Sequence, residues 1–332
     1  MKTKKILTMT IAVILACFLL IGCSTAEEPA TSPATTESGT AETGESGTVK
    51  IGVSFYALSG EFNAALKQGM EKYMEDHDLA GQVELNILDA TSDANKQNSQ
   101  VETLIADQVD AIILVAGDAD AQAIVVEQAS EAGIPLIELC TSTGATDART
   151  SYVGSDDTVS GRMLMEELGN AAGGTGKMVI LHGPTGVSAE IRRHEGAEQV
   201  IEENNWDIEV VSEKVCNWSR EEAMKAMENI IQSGMEFDIV FAENDEMAVG
   251  ALSAMQDAGL EKDIVIGGID AIPDAVSAVA EGSMTCTIFQ DAAGQAEKVM
   301  EVAIQAANGE TIEKSYDIPF QTVTKENAQD YM

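Results

Sequence analysis

The sequence is short of basic residues. Its 332 residues include 19 Lys and Arg against 56 Asp and Glu, which gives a formal net charge of −37. A surface this negative repels nucleic acid and anionic lipid, and it disfavours highly anionic ligands, although simple solubility accounts for most of the charge. We therefore expect no nucleic-acid partner.

Cysteine and histidine are also scarce. Only three of the five cysteines follow residue 23, none of them forms a CxxC pair, and an odd number leaves at least one free thiol. The three histidines are far apart in the sequence and show no metal-ligand spacing. We therefore expect no metal site and no cofactor. The residues concerned are Cys140, Cys216, Cys286, His77, His182 and His194.

Complete catalytic motifs are lacking as well. The segment "GVSAE" (186–190) starts like a nucleophile elbow, but Glu190 replaces the second glycine. The segment "GGTGKM" (173–178) is similar to part of a phosphate loop, but Met178 replaces the required Ser or Thr. An enzyme is therefore the weakest interpretation of the chain.

The N-terminus has the pattern of an export signal. Three lysines within the first five residues precede an apolar run of 17 residues, 6–22. The run ends in "LLIGC", Leu19–Cys23, which resembles the lipobox of bacterial lipoproteins. We predict a signal peptide at 1–22 and a lipid on Cys23, which would tether the chain at the outer face of the cytoplasmic membrane. An uncleaved anchor helix is the alternative.

A low-complexity segment follows the predicted lipidation site. Residues 24–48 consist only of Ser, Thr, Ala, Glu, Gly and Pro. Such a segment cannot bury enough apolar surface to offset the loss of chain entropy. We therefore predict a flexible tether over 23–48 and folded structure from Val49.

From Val49 onward, short apolar runs alternate with amphipathic segments, and the pattern occurs twice. This alternation is typical of an α/β protein with parallel sheets covered by helices on both faces. The predicted strands are 49–56, 83–89, 111–115 and 135–139 in the first half and 178–182, 208–212, 238–242 and 264–269 in the second. The predicted helices are 61–77, 93–107, 119–132, 157–172, 188–204, 219–233, 245–258 and 272–281.

Polar residues follow several predicted strands directly. Asn244 lies just past strand 238–242, and Asp270 directly follows the strand "IVIGGI" (264–269). Ligands of open parallel sheets bind beyond the carboxyl ends of the strands. Asn244 alone also suits a helix N-cap, a role for which Asp245 competes.

Five motifs follow one another in the second half of the chain: "SAEIRRHEG", "NWSREEAM", "FAENDEMAVGAL", "GGIDAIPDAV" and "MTCTIFQD". In this order they resemble the sugar-binding proteins of bacterial ABC importers, of the ribose type (class I). The resemblance implies two Rossmann-like lobes, with parallel sheets flanked by helices, joined by three hinge crossings and closing on a ligand. The implied segments are 49–154 for lobe 1, 155–290 for lobe 2, 291–314 for a return to lobe 1 and 315–332 for a C-terminal segment of lobe 2.

The resemblance also implies a set of binding residues. Phe62 matches an aromatic that stacks on the sugar, and Trp218 matches an aromatic of the second lobe. Arg193 matches the arginine before the "EG" helix, and three polar ligands match Asn244, Asp270 and Gln290. Two positions depart from the family: Cys140 and Thr141 stand where an Asp-Arg or Asn-Arg pair is common, and "GEFN" replaces an "N-P-F-F" type motif. The implied ligand-binding residues are Phe62, Asn63, Cys140, Thr141, Arg193, Trp218, Asn244, Asp270 and Gln290.

The departures disfavour ribose and favour a differently shaped sugar or polyol, because Asn63 and Thr141 can still bond hydroxyl groups. The partners implied are that ligand and an ABC permease, with the protein acting as a monomer. Repressors share these lobes but need an N-terminal DNA-binding helix-turn-helix, which the signal sequence replaces. A subunit that presents its ligand to a membrane sensor is the remaining alternative.

Overall fold

The computed structural model describes residues 47–260 and 264–332, and Gly47–Met332 form one compact unit. The predicted signal peptide and Cys23, with nearly all of the predicted tether, lie outside the described residues. Within the described ranges, no helix combines the length and the apolar character needed to cross a bilayer.

The first lobe is built on a sheet of six parallel strands. Their order across the sheet is β11-β5-β4-β3-β1-β2, so the strand that arrives last in the chain lies at one edge. The strands are β1 (Val49–Phe55), β2 (Val83–Asp89), β3 (Ala111–Val115), β4 (Leu136–Leu139), β5 (Ser151–Gly154) and β11 (Ser315–Asp317).

The second lobe repeats this plan with one change. Its sheet has the order β12-β10-β9-β8-β6-β7, and only the pair of β10 with β12 is antiparallel among the described strands. The strands are β6 (Thr175–His182), β7 (Asp207–Val215), β8 (Ile239–Ala242), β9 (Val265–Asp270), β10 (Cys286–Phe289) and β12 (Gln321–Thr324).

Helices cover both faces of each sheet. In the first lobe α1 and α9 pack together on one face, and α2 and α3 lie on the other. In the second lobe α4 packs on α5 and α6 packs on α7. The helices are α1 (Glu61–Asp76), α2 (Ala94–Ala106), α3 (Ala123–Glu131), α4 (Asp157–Ala171), α5 (Ser188–Asn204), α6 (Arg220–Gln232), α7 (Asp245–Ala258), α8 (Pro273–Glu281) and α9 (Ala292–Ala307).

The strand β3 shows why an unbroken apolar run belongs inside such a sheet. All five residues of "AIILV" are buried, and alternate side chains enter different cores. Ile113 packs with α1 and α9, whereas Ile112 and Leu114 pack with α2 and α3. A strand in a two-faced parallel sheet has no solvent side, so it needs apolar residues at every position. The predicted α/β fold of two helix-flanked sheets is confirmed.

Three segments cross between the lobes: 155–156, 290–291 and 318–320. Two of them are tied together, because the Ser155 hydroxyl donates to the Ile318 carbonyl and the Ile318 amide donates to Gly154 at 2.9 Å. Gln295, in the first turn of α9, adds a side-chain hydrogen bond to Ser155 at 3.2 Å. Hydrogen bonds therefore connect the crossings 155–156 and 318–320 to each other and to the start of α9, which follows the crossing 290–291.

The last crossing comes later than the sequence predicted. We expected residues 315–332 to lie in the second lobe, but β11 pairs with β5 in the first sheet, from Ser315↔Tyr152 to Asp317↔Gly154. The chain changes lobe only after Asp317. Backbone pairing decided this, because a three-residue edge strand carries almost no apolar pattern of its own.

Several elements escaped the sequence analysis. The strands β5, β10, β11 and β12 and the helix α9 were not among the predicted elements. The four strands have only three or four residues, which is too short for a reliable period. The helix α9 has 16 residues and an apolar face against α1, so its periodicity was present and overlooked.

Candidate functional site

A cavity of about 730 Å³ lies between the two lobes, at the carboxyl ends of their strands. The lobes also meet beside it: the Ala119 amide donates to the Gly186 carbonyl at 2.9 Å, and the Ser142 amide donates to Ser188 Oγ at 2.8 Å. All nine residues predicted to bind ligand line this cavity. They are Phe62, Asn63, Cys140, Thr141, Arg193, Trp218, Asn244, Asp270 and Gln290.

Several residues of the cavity wall have unusual backbone conformations. Cys140, Asn217 and Trp218 have φ values of 59°, 53° and 59°, and Asp270 has a φ of 126°. Residues with a Cβ seldom adopt positive φ, and the strain of each amounts to about 1–3 kcal/mol. Such strain persists where the surrounding structure holds a side chain in a required position.

Arg193 is buried, and each nitrogen of its guanidinium group donates one hydrogen bond to the protein. It is 5% exposed, and its Nε donates to Asp157 Oδ1 at 3.0 Å. Its Nη1 donates to the Glu243 carbonyl at 2.6 Å, and its Nη2 donates to Gln290 Oε1 at 3.1 Å. These three hydrogen bonds hold the guanidinium group in one orientation.

Asp270 is the opposite case. Its carboxylate is 8% exposed and accepts no hydrogen bond from the described side chains or amides. Burial raises the pKa of Asp270 well above its usual range, and the nearby Arg193 offsets this only in part. A buried carboxyl group without a protein donor is ready to accept hydrogen bonds from a ligand.

Two amide side chains, those of Asn244 and Gln290, each have one group without a hydrogen-bond partner in the described part of the chain. Asn244 Oδ1 accepts from the Met247 amide at 3.0 Å and so caps α7, which leaves the Asn244 Nδ2 group for the cavity. Gln290 uses Oε1 for Arg193 and keeps Nε2. The capping role and the ligand role of Asn244 are therefore compatible.

The first lobe supplies a smaller set of polar groups. Asn63 Nδ2 donates to the Ala57 carbonyl at 2.8 Å, and Thr141 Oγ1 donates to the Ala116 carbonyl at 2.9 Å. Both oxygens remain available as acceptors. Burial, with nearby carboxylates, raises the pKa of the Cys140 thiol well above its usual range, so this group stays protonated.

Each lobe also presents an aromatic ring to the cavity. Phe62 lies in the first turn of α1, and Trp218 lies just before α6. A Cβ on Gly183 would lie 2.1 Å from the Trp218 ring, so only glycine lets the indole pack against that backbone. The Arg193 guanidinium lies 5.5 Å from the centre of the ring, which places a cation over its face.

The comparisons with known proteins agree with this geometry. Residues 51–311 match the family described as periplasmic binding protein domain. The chain belongs to the periplasmic binding protein family. Its sequence and structural relatives place it in the ribose-type, class I branch, as the resemblance implied. They carry the names of binding proteins rather than enzymes, which confirms the expectation of a non-enzymatic role.

Three relatives illustrate the match. A xylitol-binding protein of Mycolicibacterium smegmatis is 36% identical over 283 residues, which cover 85% of this chain and 79% of the relative. A ribose import binding protein of Bacillus subtilis is 29% identical over 96% of this chain and 98% of its own. An ABC transporter solute binding protein of Bacillus halodurans, solved with bound myo-inositol, is 39% identical with a TM-score of 0.82, covering 87% of this chain and 99% of that one.

Sequence reasoning missed two positions in this periplasmic binding protein. Asp157 is buried, lines the cavity and orients Arg193, but the sequence suggested only a helix start. The signal was the pair Asp156-Asp157: Asp156 accepts from the Thr158 amide as the N-cap, which leaves Asp157 for another purpose. Burial raises the pKa of Asp157, and Arg193 partly opposes the shift.

A second missed group lies at the rim of the cavity. Arg220 Nε donates to Glu246 at 2.7 Å and Nη1 donates to Asp274 at 2.7 Å. Its Nη2 lies 3.6 Å from a carboxylate oxygen of Glu61 in the other lobe. We call Arg220 and Glu61 the rim pair. This pair joins the lobes at the entrance of the cavity.

The wall of the cavity carries more negative than positive charge. Six carboxylates and two guanidinium groups line it, and both guanidinium groups already contact protein carboxylates. An anionic ligand would be repelled by this excess of negative charge. The cavity is therefore poorly suited to phosphate esters or carboxylic acids and well suited to uncharged hydroxyl compounds. The charged residues are Glu61, Asp157, Glu221, Glu222, Glu246, Asp270, Arg193 and Arg220.

Proposed function

We propose that this protein captures an uncharged sugar or polyol between its lobes and delivers it to the permease of an ABC importer. The observation that carries the proposal is the cavity wall, where Asp270, Asn244 and Gln290 offer free hydrogen-bonding atoms next to Trp218. A hydroxyl group both donates and accepts, which matches a carboxylate beside an amide.

The same wall favours a polyol or cyclitol over ribose. Cys140 and Thr141 replace a charged pair in the first lobe, so that side of the ligand meets weak, neutral partners. The relatives named above include proteins for xylitol and myo-inositol as well as ribose. Phe62 and Trp218 would cover the C–H faces of the ligand while the polar groups bond its edge.

A ligand screen by thermal shift tests this proposal. The full chain is melted with ribose, xylitol, myo-inositol, a hexose, a hexose phosphate and an amino acid. We expect at least one neutral sugar or polyol to raise the melting midpoint, and the hexose phosphate to leave it unchanged. The same ligand at the same concentration should raise the melting midpoint of Asp270→Asn less than that of wild type. Stabilisation by the amino acid alone would reject the sugar proposal.

We further propose that the protein is a monomer anchored through Cys23 at the outer face of the cytoplasmic membrane. The order of charged residues, apolar run and cysteine supports the anchor. Cells that express Cys23→Ala should fail to incorporate labelled fatty acid into the protein. Labelling of that variant at the level of wild type would contradict lipidation at Cys23.

A further inference from the structure

A second cluster of titratable side chains lies behind the cavity, in the second lobe. His182 ends β6, His194 lies on α5, and Glu213 lies on β7. One ligand-type atom from each of these three residues lies within 4.8 Å of the others. None of the three lines the cavity, so the cluster has no part in the proposed binding of sugar.

The ring of His182 is held in one orientation by a buried carboxylate. Its Nδ1 lies 2.9 Å from Glu243 Oε1, while Glu243 Oε2 accepts from the Gly183 amide at 2.8 Å. Glu243 is fully buried, so this contact is shielded from water. Metal-binding histidines in proteins commonly donate one ring N–H to a carboxylate, which orients the other ring nitrogen toward the metal ion.

The other nitrogen of His182 points toward the open part of the cluster. His182 Nε2 lies 2.9 Å from Glu213 Oε2, and the Glu213 side chain is about half exposed. Glu190 also approaches His182, but on the Nδ1 side, at 3.6 Å, where Glu243 already binds. A metal ion would therefore enter between His182 Nε2 and Glu213.

His194 completes the set. Its ring centre lies 5.2 Å from that of His182, with an angle of 53° between the ring planes. Its Nε2 lies 3.5 Å from Glu198 at the surface, whereas its Nδ1 is buried and has no hydrogen-bond partner within residues 47–260 and 264–332. A buried polar atom without a hydrogen-bond partner destabilises the protein unless a ligand or ion satisfies it.

We propose that His182, His194 and Glu213 bind one zinc-class divalent metal ion. Two imidazole nitrogens and one carboxylate oxygen form a ligand set that zinc accepts in proteins, with water in the fourth position. Magnesium and calcium prefer oxygen ligands, so this set selects against them. The ion would link β6, α5 and β7 and so stabilise the second lobe directly behind the cavity.

Protonation of His182 is the alternative to a bound metal ion. Burial lowers the pKa of His182, but its hydrogen bonds to Glu243 and Glu213 outweigh that effect and raise the pKa to about 9. An imidazolium ion could therefore bridge the two carboxylates without metal. The experiment must distinguish a metal site from such a bridge.

The test is a calorimetric titration of the chelator-treated full chain with zinc chloride at pH 8. Thermal melting with and without zinc is measured alongside it. We expect one saturable site, a higher melting midpoint with zinc, and no response to magnesium chloride. Glu213→Gln and His194→Ala should each weaken zinc binding at least tenfold and remove the zinc-dependent rise in melting midpoint. His77→Ala changes a histidine outside the cluster and should bind zinc as wild type does.

Thiols and carboxylates outside the cluster can also bind zinc weakly. The comparison of wild type with Glu213→Gln therefore decides whether zinc binds at the cluster. Glu213 is exposed, and its substitution should not impair folding; circular dichroism checks this. Equal zinc affinity and equal zinc stabilisation in wild type and Glu213→Gln would overturn the proposal and leave the imidazolium bridge as the role of the cluster. Failure of the sugar screen would not affect this result, because no cluster residue lines the cavity.

Discussion

At the scale of single residues, the cavity combines strained backbone with buried charge. Asp270 has a φ of 126°, is 8% exposed and has a strongly raised pKa. Each of these properties destabilises the protein without ligand. Because all three properties occur at Asp270, we expect this residue to have a function in binding, in which a ligand donates hydrogen bonds to its carboxylate.

Asp270→Asn should weaken binding of the ligand found in the screen by about tenfold to a hundredfold, with the fold retained. A hydrogen bond to a charged group contributes about 1.5–3 kcal/mol, which corresponds to that range. Calorimetry measures the effect. Asp89→Asn changes an aspartate that ends a strand of the first lobe outside the cavity, and should bind as wild type does. Equal losses in both variants would mean a general effect on folding.

Asp245 should give the protein a measurable pH dependence of stability. Burial raises the pKa of Asp245 to about 7, although hydrogen bonds from Thr287 and the Ile272 amide oppose the shift. An acid with a raised pKa in the folded state takes up a proton on folding between its unfolded and folded pKa values. Its contribution to stability is therefore complete below about pH 4 and is lost as the pH rises to about 7.

Urea unfolding at several pH values from 4 to 8 measures this contribution. The free energy of unfolding of wild type should fall more steeply between pH 4 and 7 than that of Asp245→Asn, by up to about 1.4 kcal/mol per pH unit for one proton. Asp257→Asn, at an exposed position of the same helix, should keep the wild-type slope. Parallel curves for wild type and Asp245→Asn would contradict the assignment.

At the scale of elements, the N-terminal turns of α1 and α6 face each other across the cavity entrance through the rim pair. An arginine at the start of a helix opposes the helix dipole, so other contacts must favour Arg220 there. Glu246, Asp274 and Glu61 provide them. Of these contacts, only the one with Glu61 spans the two lobes.

Glu61→Gln should therefore speed the release of ligand by about 1.4-fold to fivefold. Exposed ion pairs contribute about 0.2–1 kcal/mol, and this pair acts only when the lobes are together. Stopped-flow fluorescence of Trp218 measures the dissociation rate. The control is Glu71→Gln, which removes a surface pair with Lys67 on the same helix. Unchanged release in Glu61→Gln, or equal acceleration in both variants, would exclude a role of the rim pair in holding the lobes closed.

At the scale of the whole molecule, Gly47–Met332 form one compact unit with two cores in each lobe. A chain that begins at Val49 should be monomeric and should unfold in a single cooperative transition. Saturating ligand should raise its melting midpoint, because a ligand that bridges both lobes binds only the folded state. Aggregation, or two separate unfolding transitions with ligand present, would contradict the prediction that the folded unit begins at Val49.

The repeated α/β plan was predictable from the sequence because buried parallel strands need continuous apolar runs and their helices need one apolar face. The strand predicted at 111–115 and the helix predicted at 188–204 have the same limits in the structure. The short strands β5, β10, β11 and β12 were not predictable in this way. Three or four residues define no period, and neighbouring strands alone determine whether such a segment joins a sheet.

The sequence by itself determined the two-lobed α/β architecture and nine of the residues that line the cavity. Local pattern and motif order carry that information along the chain. Only the tertiary structure decided that Asp157 orients Arg193, that the Asp270 carboxylate has no donor among residues 47–260 and 264–332, and that His182 and His194 lie next to Glu213. Hydrogen bonds, charge and metal-ligand geometry depend on distances in space, and residues 31 or more positions apart become neighbours only when the sheets form.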